Sequence, residues 1–272
     1  MNGVVFSLIL GTATPGGGFP VFGAAYSEAI NAQEPRLRIE TRHTKGSTEN
    51  VPLLEAGSID LGLVAGELAS AALAKPGTQL RIVAAMYSSP GMFVVLGDSP
   101  VRRIADLKGK PVVLGTQGSG LTVLGRLVLQ SLEVSFEEIL LEKAADGPAM
   151  LQDGRAAALW GAGVGWPAFA AIAKAGGRFI APDTGEIRRI LEKNPSLQAV
   201  TLPAGSYTGQ DAALPSVGSW SYVFARPGLP AEQGDRLARA RCTALKGRWR
   251  HAWTRRGKPP PPTPSPPRRA SS

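Results

Sequence analysis

The 272-residue chain has one cysteine, Cys242, and two histidines, His43 and His251. A lone cysteine excludes an internal disulfide and any cysteine-based metal cluster, and two distant histidines do not make a His-rich site. No metal and no cofactor are therefore expected. No apolar run reaches the ~20 residues that a membrane-spanning helix needs. Val4–Leu10 is apolar, but no Lys or Arg precedes it and Gly11 onward reads as folded domain, so a signal peptide is not recognised. Acidic residues stop at Asp235. The stretch from Arg236 holds 11 of the 30 Lys and Arg, leaving 19 basic against 21 acidic groups before it, a net of −2. The formal charge of +9 thus belongs to the tail. The body carries no electrostatic footprint for nucleic acid, and none is expected as a partner.

Catalytic signatures are also missing. Neither glycine loop is followed by Gly-Lys-Ser/Thr, and neither is a G-x-G-x-x-G with a downstream acid. Ser119 lies in Gly-Ser-Gly, which is not a hydrolase elbow. His43, the one histidine of the body, sits in a polar turn, where a solvated role is the better reading than a Ser/His/acid triad. No catalytic residue is assigned.

What is present is a run of strands and helices. Hydrophobic content of 43% is ample for sizeable cores. Strands are expected at Val4–Leu10, Arg36–Thr41, Asp60–Val64, Leu80–Met86 and Met92–Leu96, with Ser88–Gly91 as a crossover between the last two. Further strands are expected at Val112–Leu114, Leu140–Leu141, Ala156–Trp160, Phe179–Ala181 and Trp220–Ala225. Helical patterns separate most of them, including a short helix at Val101–Gly109 and one starting at Ser47 as N-cap. Leu202–Ser216 reads as irregular and carries the return crossover. Alternating βα units imply a largely parallel sheet with helices on its faces.

Two stretches share one design. Leu10-Gly11-Thr12 leads into Thr14 and Gly16-Gly17-Gly18-Phe19, and Leu114-Gly115-Thr116 leads into Gly118-Ser119-Gly120 and Thr122. Each is a strand end, a glycine turn and a helix start, the geometry that offers backbone N–H groups to an anion. Gly46-Ser47-Thr48 opens a third helix in the same way. Trp160, at a strand end beside Gly161, is a candidate for the cleft or for the core. Tyr87 is a candidate for the cleft or for a hinge. Arg102 and Arg103 read as a solvated helix start.

Taken in order, these motifs resemble the TAXI-type extracytoplasmic solute-binding proteins of TRAP transporters, an NMT1-like group. The matching residues are Gly11 to Pro20, Gly46 to Asn50, Leu54 to Val64, Asp106 to Lys110, Gly115 to Gly120, Trp160 to Gly163 with Pro167, Val217-Gly218 and Arg226 to Pro230. The resemblance covers about Val4 to Ala240. It implies an α/β, two-lobed type II periplasmic-binding-protein fold with a ligand cleft between the lobes. It also implies a monomeric periplasmic receptor that passes a small anionic solute, a carboxylate or amino acid, to a TRAP-type membrane permease. The ligand-facing positions it suggests are Thr12, Thr14, Gly17, Gly18, Phe19, Ser47, Thr48, Gly118, Ser119, Gly120, Thr122, Trp160 and Gly161, to which Tyr87 is added from its place in the chain. Two departures stand out: Phe19 replaces the family's usual tyrosine, and Ala65-Gly66-Glu67 replaces a Gln-Ser-Asp-like turn.

Residues 1–89 with 207–239 are expected to form lobe one, and 90–206 lobe two. Residues 240–272 are expected to be a basic, proline-rich, disordered tail, read either as a membrane or nucleic-acid contact through Arg248–Arg256 or as the product of a reading-frame slip in GC-rich DNA. The rival functions are an intracellular small-molecule sensor and an enzyme on the same fold.

Overall fold

The computed structural model describes residues 4–240; the expected tail, from residue 241 on, lies outside the described residues. The chain runs β1 (Phe6–Gly11), α1 (Gly18–Gln33), β2 (Leu37–Arg42), α2 (Ser47–Glu55), β3 (Leu61–Ala65), α3 (Gly66–Leu73) and β4 (Arg81–Val95). It continues through β5 (Pro111–Thr116), α4 (Gly120–Ser131), β6 (Glu137–Leu141), α5 (Gly147–Gln152), β7 (Ala158–Ala162), α6 (Pro167–Lys174) and β8 (Arg178–Ile180). Last come α7 (Thr184–Lys193), β9 (Gln198–Leu202) and β10 (Leu214–Ala225), and residues 231–240 are helical.

The strands form one curled sheet in the order β2-β1-β3-β10-β4-β7-β5-β6, with β8 on β4 and β9 on β10. Its two ends are parallel βα units: β1 lies parallel to β2 and β3, and β5 lies parallel to β6 and β7. The centre is antiparallel, where β10 runs against β3, β4 and β9. Each end of the sheet is covered on both faces. Leu8, Leu10 and Ile30 form one cluster and Leu54, Ile59 and Phe224 another at the first end; Phe93, Leu114 and Trp160 form a third and Met92, Phe169 and Tyr207 a fourth at the second. Near-continuous apolar runs such as Leu61–Ala65, buried throughout, are what a sheet sandwiched between helices requires.

Three expectations are corrected. The strands expected at Leu80–Met86 and Met92–Leu96 are one, because β4 passes straight through Ser88–Gly91. Pro90 and Gly91 read as a break but serve close approach instead, because Gly91 lies under the Trp160 ring and pairs with Val217. The return segment is irregular over residues 203–213, as expected, and is flanked by β9 and β10, which pair with each other. The expected helix at Val101–Gly109 shrinks to one 3-10 turn over Ile104–Leu107. The N-cap of α2 is Gly46, not Ser47; its φ of 110° is open to glycine and strained for other residues.

Candidate functional site

The C-terminal ends of β1, β3 and β5 and the starts of α1, α2 and α4 meet at one cleft of about 500 Å³, roofed by the loop after β7. Buried side chains fix these helix starts. Asn50 Nδ2 donates to the Thr12 and Leu63 carbonyls at 2.8 Å each, tying α2 to the ends of β1 and β3. Ser47 Oγ accepts the Ala65 N–H at 3.0 Å, so α2 and α3 begin side by side. Thr122 Oγ1 donates to Thr116 O at 2.8 Å, and Ser119 Oγ caps α4 by accepting Leu121 N–H at 3.2 Å. The first N–H groups of a helix have no partner within it. Gly18, Ser47 and Gly120, the first residues of three helices, all line the cleft.

Of the expected residues, Thr14, Gly17, Gly18, Phe19, Ser47, Tyr87, Ser119 and Gly120 line this cleft. The others do not, each for a visible reason. Thr12 is fully buried and donates its hydroxyl to Arg42 O. Thr122 is buried in the α4 cap just described. Thr48 Oγ1 donates to Gly118 O at 2.7 Å, so these two join the α2 start to the β5–α4 loop. Trp160 belongs to the core: it is fully buried against Phe93, and its indole N–H donates to Leu121 O at 2.8 Å. Gly161 lies beneath Trp166 and Phe169, where any side chain would overlap them. His43 bonds to Ala13 O at 3.3 Å and is not among the lining residues.

Some lining residues carried no earlier assignment. Glu67, in the first turn of α3, is 8% exposed, and its Oε2 accepts the Ser219 hydroxyl at 2.5 Å. Burial pushes its carboxyl above the usual range, with the Ser219 bond opposing that rise. Ser88, Ser89, Ser219 and Ser221, from the middles of β4 and β10, form the floor. Ser219 and Ser221 alternate with Trp220 and Tyr222, a period of two that marks one strand face. Glu67 is the single charged residue between Leu61 and Leu73. Neither pattern by itself shows that the two strands and the α3 start meet at one cleft. Tyr87, half-buried beside Gly18, has its phenol pushed up to about 12 by desolvation. Among the described residues that line the cleft there is no lysine, arginine or histidine.

A sheet whose two ends are βα units, joined by two antiparallel strands beneath a cleft, defines the two-lobed type II periplasmic-binding-protein fold. Solved structures agree. The substrate-binding protein of an amino acid ABC transporter matches over 91% of this chain and 96% of its own, with TM-score 0.52 and 16% identity. The alkanesulfonate-binding protein SsuA from Xanthomonas axonopodis pv. citri, bound to MOPS, matches over 94% and 81%, with TM-score 0.55 and 18% identity. The effector-binding domain of QuiR in complex with shikimate matches over 91% and 99%, with TM-score 0.58 and 9% identity. The chain belongs to the NMT1-like family, whose model matches residues 10–245.

Proposed function

We propose that this protein is a periplasmic solute-binding receptor that captures a small carboxylate-bearing solute between two lobes and hands it to a TRAP-type membrane permease. The observation that carries the reading is the convergence of three helix starts from both ends of the sheet on one cleft. Their amides suit an anionic or acceptor group, and closure removes the water that would screen them. Two structural neighbours, the substrate-binding protein of an amino acid ABC transporter and an alkanesulfonate-binding protein, support a transport role. The permease class rests on the TAXI-like motifs.

In this proposal lobe one comprises residues 4–88 with 220–240, and lobe two residues 89–219. Tyr207 supports moving the return boundary from its expected place. Its hydroxyl accepts Trp166 N–H at 2.9 Å and donates to Gly163 O at 3.0 Å, and its ring packs on Phe169 and Phe179.

A thermal-shift screen of carboxylates and amino acids tests the reading, followed by calorimetry on any hit and mass spectrometry of the mixture. Saturable binding without turnover is expected; conversion of the hit would move the protein to the enzyme class. The likeness to an effector-binding domain favours a sensor as the second reading. Cell fractionation separates them: recovery in the cytoplasm supports the sensor.

A further inference from the structure

We infer, building on the binding reading above, that Glu67 selects solutes in which a primary amine accompanies the carboxylate on an apolar body, and that simple dicarboxylates are rejected. Glu67 is the one ionised-type side chain built into the cleft wall. One oxygen is held by Ser219, and the other faces the start of α4: a Cβ placed on Gly120 would sit 3.6 Å from Oε1 and 3.0 Å from Ser47 Oγ. The carboxylate therefore lies between the starts of α2 and α4 while itself occupying the first turn of α3. Burial raises its pKa, and the Ser219 hydroxyl and the positive helix ends around it oppose that rise.

This arrangement changes what the α2 and α4 starts can do. The seat they offer to an anion already faces the protein's own carboxylate. A second carboxylate brought there meets a like charge in a site shielded from water. No cation among the described lining residues offsets Glu67, and the other titratable group of the cleft, Tyr87, lies beside Gly18 at the α1 start. A ligand ammonium supplies the missing charge and donates to Oε1. The ligand carboxylate is then left to the α1 start, where the Gly18 and Phe19 amides and the protonated Tyr87 phenol are donors. Between the two ends the walls are apolar: Phe19, Phe22, Leu121, Leu124, Val164 and Trp166. They fit a hydrocarbon or aromatic body and offer no partner to a second acid.

The experiment is calorimetry on the full chain, freed of carried-over ligand by unfolding and refolding, with four probes. These are L-phenylalanine, 3-phenylpropanoate, which lacks the amine, 2-phenylethylamine, which lacks the carboxylate, and succinate. L-phenylalanine should bind about ten- to a hundredfold more tightly than 3-phenylpropanoate, the loss expected for one charge-assisted bond. Succinate should bind most weakly. Glu67→Gln should bring L-phenylalanine down to the level of 3-phenylpropanoate. Equal or tighter binding of 3-phenylpropanoate or succinate by the unaltered protein overturns the inference. So does a Glu67→Gln protein that keeps the preference, because the amine would then be selected without a negative charge at position 67. If Glu67→Gln does not fold, Ser219→Ala takes its place, and the preference should narrow several-fold. Silence from all four probes also overturns the inference, yet leaves the receptor reading intact if the wider carboxylate screen yields a binder. Silence in both removes the receptor reading as well.

Discussion

At the scale of single residues, the cleft sets side chains that hold the fold beside side chains that are free to act. Ser47 and Ser119 looked equivalent in sequence, each a hydroxyl at a helix start. Ser47 is fully buried and satisfies the Ala65 N–H. Ser47→Ala would leave that N–H without a partner, at a cost of about 1–3 kcal/mol. Ser119→Ala loses an N-cap, about 0.5–2 kcal/mol, on a residue that is partly open to the cleft. Urea unfolding should therefore rank Ser47→Ala as the more damaging; the reverse order would mean that Ala65 finds another acceptor. Glu67 gives a prediction of opposite sign. Its carboxyl is raised in the folded protein, because burial penalises the charge. Stability from this group is full below the ordinary carboxylate range and is lost as pH rises through the raised value. In the ligand-free protein Glu67→Gln should remove that loss, so the variant's melting temperature relative to the unaltered protein should improve from acid to neutral pH. A difference independent of pH would mean that Glu67 titrates normally.

At the scale of elements, β4 and β10 decide the geometry. They cross where Gly91 lies under Trp160 and where Gly218 meets the Ser89 backbone so closely that a Cβ would overlap it. Ser216 Oγ donates to Gly91 O at the same crossing. Gly218→Ala should cost about 1–3 kcal/mol from overpacking and shift the register of the pair. Denaturant unfolding together with amide exchange of Ser88, Ser89 and Gly91 would register both; an unperturbed crossing would show that the strands can part freely. This is also where sequence reasoning is weakest. Pro90-Gly91 carries the local signature of a turn, and only pairing with β10 and β7, seventy or more positions away, makes it strand. The βα units at either end were legible because buried parallel strands such as Leu61–Ala65 are short unbroken apolar runs bounded by glycine. The strand-end glycine loops were legible for the same reason, and with the Gly46-Ser47 start they supply seven of the expected residues that line the cleft; Tyr87, from β4, is the eighth. Trp160 was not: a tryptophan at a strand end can face either way, and here Gly125 leaves room for its indole in the core. Glu67 escaped because nothing local shows that Ser219, on β10, closes over it.

At the scale of the whole molecule, the two ends of the sheet touch across the cleft through a few small contacts, and two of them lie at its rims. Gly16 approaches Ala144 and Ala145 at one rim. At the other, Gly118 O accepts from both the backbone N–H and the hydroxyl of Thr48, at 3.3 and 2.7 Å. Contacts this slight hold a closed form only weakly, so the solute itself must supply most of the closing free energy, in proportion to how much better it binds the closed form than the open one. Thr48 is exposed and does not line the cleft, so Thr48→Val removes one closing bond without touching the solute. A net bond of about 0.5–1.5 kcal/mol corresponds to roughly a two- to twelvefold shift in the closed-to-open ratio. Affinity should fall by about that factor, through faster release rather than slower capture, because the bond forms only after the solute is seated. Stopped-flow kinetics read the two rates separately. A slower capture with unchanged release would mean that the Thr48–Gly118 contact is already made in the empty receptor, and that the lobes close before the solute arrives.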